Sequence, residues 1–392
     1  MQSEPSPSPG RAVPRRILII AGEASGDLHG SNLVRQMKAI EPGLRFYGVG
    51  GRKMREAGVE LAADIADMAV VGLTEVVKKI PAILGVRRKL KLSLGRERPA
   101  LAIFIDYPDF NLPMAKLAKS RGIPVFYYIS PQVWAWRKGR IGQIGRTVDR
   151  MAVILPFEEE LYRASGVDVS FVGHPLLDAV KTRYGRDEAL RRFGLKDGVR
   201  TIALLPGSRP AEVERMLPVM MRMAAILERE LPPLQFVLPV ADSLPAQTVE
   251  DILGPFGTRV ALVRDDIYDA VAVADLAVVT SGTATLETAL LEKPMIIVYK
   301  MSMVSYAVGR MVVKVPCIGL VNIIAGKKIV PELIQGDAGA ERMAAEAMDI
   351  LSSPERQAAM KRELSLLRRN MGTAGASERA ARIALAAMRN FR

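Results

Sequence analysis

"TIALLPGSRPAEVERM", residues 201–216, decides the fold. An apolar run ends at Leu205, Gly207 turns the chain, and Pro210 opens an amphipathic helical pattern. Strand, tight loop and helix in that order make the opening of a parallel α/β unit. This opening sits in mid-chain, after a charged segment at 181–200, and it is a restart. An earlier series begins with "ILIIAGEASGDLHG", residues 17–30, in the same strand–loop–helix order.

In the first series, strands are expected at 16–20, 45–50, 100–105, 125–130, 150–156 and 169–173. In the second they are expected at 201–206, 235–240, 259–263, 276–281 and 294–299. Helical patterns fill most of the gaps. Strands apolar on both faces and separated by helices imply parallel sheets buried between helical layers. The expected fold class is therefore α/β, with two doubly wound Rossmann-like domains. A length of 392 residues also exceeds one hydrophobic core.

The expected division is a disordered Ser/Pro-rich lead-in (1–14), an N-terminal domain (15–175), a C-terminal domain (176–371) and a terminal stretch (372–392). That stretch follows a break at "MGTAGASERA", is helical, and is expected to pack back on the N-terminal domain. Ligands of such sheets bind outside the carboxyl ends of the strands. Loops 22–30, 106–111, 130–138, 206–212, 280–287 and 319–326 are therefore expected to line a cleft between the domains.

Composition narrows the classes. The single Cys317 excludes an intrachain disulfide and fits a reducing cytosol. Two histidines and one cysteine argue against a His/Cys zinc site. No apolar run reaches the roughly 18 to 20 residues that span a bilayer, so a soluble or membrane-surface protein is expected. A net charge of +13 favours anionic partners: nucleic acid, anionic membrane or phosphorylated substrates. The glycines of 22–30 match neither G-x-G-x-x-G nor the P-loop, which disfavours a nicotinamide oxidoreductase. No D-x-D is present to hold a sugar nucleotide through a divalent metal, and no G-x-S-x-G elbow is present.

Four segments carry candidate chemistry. In "LLPGSRPAEVE" (204–214), Ser208 can cap the helix, whose free N–H groups suit a phosphate, and Arg209 adds a cation. In "SGTATLE" (281–287), Ser281, Gly282, Thr283 and Thr285 offer donors before a helix. Glu287 either rests on the helix dipole or accepts the ribose hydroxyls of a nucleotide. In "IDYPDFN" (105–111), either Asp106 or Asp109 could act as base. Asp106, at the strand end, is preferred, and Asp109 is equally a helix cap. An aspartate at its reference pKa of about 3.9 is a poor base for a sugar hydroxyl, so desolvation must raise it. In "SPQVWAWR" (130–137), Trp134 and Trp136 beside Arg137, Lys138 and Arg140 could stack on a base, sit at a lipid interface, or simply pack.

Residues 75–98 mix Ile, Leu and Val with eight basic and two acidic residues. They read as a basic amphipathic helix, with a break expected at Pro81 or Gly85, suited to an anionic membrane interface or to solvent. Residues 305–328 repeat the mixture. There Asn322 either bonds its own loop or meets a substrate.

These motifs, with "AGEASGD", "GVGG", "VVGLTEV", "LPFE", "GHPLLD" and "NIIAG" in order along nearly the whole chain after residue 15, resemble the lipid-A-disaccharide synthase family. "SPQVWAWR" and "IDYPDFN" are specific to it. Val321 departs from it, standing where a proline often precedes the asparagine, and the Ser/Pro extension is extra. The resemblance implies a two-Rossmann-domain (GT-B) glycosyltransferase that uses no metal and no cofactor. Its implied donor is UDP-2,3-diacylglucosamine and its acceptor 2,3-diacylglucosamine 1-phosphate. The product would be a β-1,6 disaccharide formed with inversion, in bacterial outer-membrane biogenesis.

The family motif gives Asp106 the role of base and Arg209 that of the essential phosphate-binding arginine. It leaves Gly207, Ser208, Glu212, Ser281, Gly282, Thr283, Thr285 and Glu287 for the UDP-sugar. Ser25, Gly26, Asp27 and Asn322 fall to the acceptor side, where Asp27, repelled by a phosphate, caps a helix or binds a sugar hydroxyl. The implied location is the cytoplasmic face of the bacterial inner membrane, with an anionic membrane as partner and no specific nucleic acid. A homodimer is left open.

Overall fold

The computed structural model describes residues 15–65, 73–136, 139–241, 244–301 and 317–390. The lead-in (1–14), the Trp136 side chain, Arg137, Lys138 and residues 305–316 of the second apolar–basic stretch lie outside the described residues. The chain divides into two compact units. One is the chain up to Pro175 together with the segment from Gly375 onward; the other is Leu176–Ala374.

The first unit is built on a seven-stranded parallel sheet of order β3-β2-β1-β4-β5-β6-β7. Its strands are β1 (Arg16–Ala21), β2 (Arg45–Gly50), β3 (Val59–Asp64), β4 (Leu101–Ile105), β5 (Val125–Tyr128), β6 (Arg150–Val153) and β7 (Val169–Phe171). Ile17–Ala21 and Leu101–Ile105 are fully buried, as strands covered on both faces must be. The chain order reverses between β1 and β4. This reversal is the switch point, where ligands of such sheets bind.

The second unit repeats the plan with order β10-β9-β8-β11-β12-β13. Its strands are β8 (Arg200–Leu205), β9 (Leu234–Pro239), β10 (Val260–Val263), β11 (Leu276–Thr280), β12 (Met295–Tyr299) and β13 (Glu332–Ile334). The reversal falls between β8 and β11, where "PGSR" and "SGTATLE" begin.

Two strands escape the sequence reading, β3 and β13. Both are sheet edges with polar positions ("VELAAD", "ELI"), so the continuous apolar run that marks a central strand is missing. The expected break near Pro81 is also corrected. Leu73–Glu97 is one continuous helix with Pro81 inside it. Its C-terminal half buries Leu90 and Leu94 and exposes Leu84 and Leu92 among the exposed Arg87, Arg88 and Lys91.

The terminal helix, Ala376–Asn390, buries Ala380, Ala381, Ala384 and Leu385. It lies in the first unit against the helix Ala24–Ile40 and strands β4, β5 and β6. Arg379 Nε donates to the Val172 carbonyl (2.8 Å) and Arg389 pairs with Glu41 (3.0 Å), which fix its register.

Candidate active site

At the switch point of the first unit, β4 ends and the chain bends sharply. Asp106 and Tyr107 both take left-handed backbone, φ 44° and 48°. Two such residues in succession cost on the order of 1–3 kcal/mol each. They persist because the surroundings fix them. Tyr127 Oη donates to the Asp106 carbonyl (2.6 Å), and Asn111 Nδ2 donates to the carbonyls of Asp106 (2.8 Å) and Ile105 (3.1 Å). The Asp106 N–H donates to Ile129 O (3.2 Å), itself in a left-handed residue. The helix Pro108–Ser120 starts at once, with Tyr107 at its N-cap.

The opening loop accommodates this bend. A Cβ on Gly22 would lie 2.2 Å from the Tyr107 ring, so only glycine lets the two loops touch. Burial, together with neighbouring Glu23, raises the Asp106 pKa to about 6, against the opposing bond from the Tyr107 N–H. That brings the carboxylate into the pKa range that suits a general base near neutral pH. Asp109 differs: its side chain is 72% exposed and pairs with Arg140 at 2.6 Å. Solvent and a fixed cation leave it as a surface ion pair in the first turn of its helix.

Of the two alternatives for Asp27 in loop 22–30, the helix cap is the one present, on a neighbouring helix. Asp27 is 5% exposed, and its carboxylate accepts from the backbone N–H groups of Gly51 (2.7 Å), Lys53 (3.0 Å) and Met54 (3.0 Å). It closes the N-terminus of a neighbouring helix, Arg52–Glu56, and both oxygens are taken. Gly26 is buried, its α-carbon facing Ala21 of β1, so it serves helix-to-strand packing. Ser25 alone of the three is exposed.

In the second unit, the loops after β8 and β11 line a cavity of about 430 Å³, a size suited to a small ligand. Gly207 (φ 122°), Ser208, Arg209, Glu212, Ser281, Gly282, Thr283 and Glu287 all line it. The helix Pro210–Glu230 has Arg209, not Ser208, at its N-cap, and no side chain caps it. Glu212 braces the loop instead, accepting from Ser208 N (3.3 Å) and pairing with Arg209 Nη1 (3.2 Å). The Arg209 side chain remains 70% exposed, within reach of an incoming anion.

Glu287 is mostly buried and accepts from Tyr268 Oη (3.1 Å). Burial raises its pKa, and the tyrosine bond offsets that in part. Thr285 is corrected: it is fully buried, and its hydroxyl donates to Gly282 O (2.8 Å) within the helix start. Asn322 follows the first of its two alternatives and bonds its own loop. At 1% exposure it holds Val330 O, Glu332 Oε1, Ile329 N and Val330 N, which exhausts its amide on its own loop.

The sequence reading missed two cavity residues. Tyr268, in "DDIYDA", carries no turn or glycine signal. Thr280 is 3% exposed and lines the cavity, with a buried hydroxyl that has no partner among the described residues. Trp134 resolves to packing: it is buried, meets Phe157 edge-on at 4.9 Å, and donates to Glu158. Among the described residues, no group of three or more His, Cys, Asp or Glu side chains is placed to hold a metal ion.

The sequence profile described as lipid-A-disaccharide synthetase matches residues 17–387. The lipid-A-disaccharide synthase of Syntrophus aciditrophicus is 60% identical over 372 residues, covering 94% of this chain and 97% of that one. Among solved structures, the calicheamicin glycosyltransferase CalG4 aligns with a TM-score of 0.63 at 14% identity, over 96% of this chain and 98% of its own. The UDP-GlcNAc 2-epimerase of Neisseria meningitidis, bound to UDP-GlcNAc, aligns at 0.58 and 12% identity, over 95% and 98%. At such identities the two structures establish the fold alone. It is the architecture of two Rossmann-like units that glycosyltransferases of this type share.

Proposed function

Since the chain belongs to the lipid-A-disaccharide synthetase family, and is a glycosyltransferase of lipid A disaccharide synthesis, we propose that it joins UDP-2,3-diacylglucosamine to 2,3-diacylglucosamine 1-phosphate. The product is the β-1,6 disaccharide 1-phosphate, and UDP is released. Asp106 takes the proton of the acceptor 6-hydroxyl as that oxygen attacks the anomeric carbon. The bond from that carbon to the diphosphate oxygen breaks, and UDP departs with the electron pair. One in-line displacement converts an α-linked donor to a β product.

The observation that carries this mechanism is Asp106 itself, a desolvated carboxylate at a strand end with its pKa raised to about 6. The donor half is supported by the cavity at β8 and β11, whose N–H groups, Arg209 and Glu287 match a diphosphate and a ribose. The solved epimerase that holds UDP-GlcNAc has the same fold.

Incubation with the two acylated precursors tests the reaction. A disaccharide phosphate and one free UDP per product are expected. Equal turnover with UDP-N-acetylglucosamine lacking long acyl chains would defeat the lipid reading in favour of another UDP-sugar enzyme.

Acylated substrates need an interface. We place it at the inner face of the bacterial inner membrane, with 75–98 as the contact. No helix among the described residues is long and apolar enough to cross a membrane. The exposed Leu84 and Leu92 among Arg87, Arg88 and Lys91 suit insertion into an anionic headgroup layer. Replacing Arg87, Arg88, Lys89 and Lys91 by Gln is expected to lower partitioning onto anionic vesicles by up to about 10³-fold, at roughly 1 kcal/mol per charge. Flotation with and without anionic lipid measures it; unchanged partitioning moves the contact elsewhere.

A further inference from the structure

Beneath the bend at Asp106 lies a second carboxyl group that the displacement does not use. Glu158 is 1% exposed, in the first turn of the helix Pro156–Arg163. It accepts from Trp134 Nε1 (3.0 Å) and Leu155 N (3.3 Å), and it is also bonded by Ser130. Ser130 Oγ is also hydrogen-bonded to Tyr162 Oη (2.7 Å), a fully buried phenol. Ser130 directly follows Ile129, whose carbonyl receives the Asp106 N–H. The turn after β5 is therefore pinned at one end to Asp106 and at the other to Glu158.

Sealing a carboxyl group this deeply is costly unless its partners use it. Holding the Trp134 helix end alone could be done by a neutral amide or a backbone carbonyl.

We propose that Glu158 is a positioning residue for Asp106, anchoring through Ser130 and the Trp134 indole the left-handed turn at Ile129 that orients the base. This rests on the reading of Asp106 as base. A pH signature accompanies the geometry. Burial raises the Glu158 pKa to about 7; the bonds from Trp134, Ser130 and Leu155 oppose this, and the Asp106 charge adds to it. Asp106 faces Glu23, the Tyr107 N–H, Tyr127 and Tyr162, while Tyr162 also faces Glu158. Two carboxyl groups in one dry pocket lose their protons in sequence and as a pair. Each charge raises the proton affinity of the other, so an ionised Glu158 strengthens Asp106 as a base.

The test uses Glu158→Leu, Trp134→Phe and Glu158→Gln in the full chain, with kcat and KM for the UDP-sugar measured per folded protein across pH 5–9. Glu158→Leu and Trp134→Phe are expected to lower kcat by about ten-fold or more, as misplaced catalytic groups do. The donor KM should stay within about two-fold, because the loss falls on the chemical step rather than on binding. Glu158→Gln, which keeps an acceptor for the indole, is expected to restore most of kcat near pH 6.5. It should erase the inflection near pH 7 that the wild type shows.

A purely structural Glu158 would lower thermal stability with kcat per folded protein and the pH inflection unchanged, and that result overturns the proposal. Asp106→Asn separates the two readings. If it retains turnover, the base assignment fails; if it is inactive and Glu158→Gln keeps the inflection, only the role of Glu158 fails.

Discussion

Asp106→Ala is expected to lower kcat by about 10²–10⁴-fold, the range for loss of a general base, while the Kd for UDP changes by less than about two-fold. The separation follows from where the groups sit. Asp106 belongs to the first unit and every cavity residue at β8 and β11 to the second. Single-turnover assay and calorimetric titration with UDP measure the two effects; loss of UDP affinity would mark Asp106 as a structural residue.

The pH dependence has a definite sign. Asp106 works ionised, so kcat falls as pH drops through about 6 and the carboxylate takes up its proton. Histidine cannot be the source of that limb. The chain has two histidines, and burial lowers His29 to about 4 and His174 to about 3. A wild-type acid limb near 4, the ordinary carboxylate range, would remove the desolvation on which the base role rests.

Arg209→Ala is expected to cost about 2–4 kcal/mol of transition-state stabilisation and to weaken UDP binding as well. The arginine is 70% exposed and pairs with Glu212, in the first turn of the helix that it precedes. In the unliganded protein it therefore contributes little to stability; surface pairs of this kind are worth about 0–1 kcal/mol. Its value is expected to appear when a diphosphate replaces the carboxylate as its partner and negative charge grows on the leaving oxygen. Arg209→Lys is expected to recover only part of the loss, because an ammonium lacks the two-pronged donor geometry. Wild-type kcat/KM in Arg209→Ala, with unchanged thermal stability, would take the residue out of the site.

The two predictions show which links the sequence carried. Central strands were readable because burial on both faces demands unbroken apolar runs, and the mid-chain restart at 201 follows from the same demand. Asp106 and Arg209 were readable because each stands where a strand hands over to a helix. Asp27 and Asn322 each kept two readings in the sequence for a physical reason. A short polar side chain among glycines at a strand end looks the same whether it meets a ligand or ties down backbone N–H groups. Only the distances to Gly51, Lys53 and Met54, or to Ile329 and Val330, separate the cases. Thr285 is the same lesson on one helix turn. Tyr268, Thr280 and Glu158 could not be placed beforehand, since each acts through a partner on another element: Glu287, the cavity and Trp134.

The helix Ala376–Asn390 also bears on how the molecule is made. During synthesis the amino-terminal sheet emerges early, with the apolar surface that Leu385 and its neighbours cover still bare. Its covering leaves the ribosome only after all of Leu176–Ala374 has been translated. The later unit can therefore mature first, and the earlier one must wait for Ala376–Asn390 to follow it, with an open hydrophobic face for chaperones to guard.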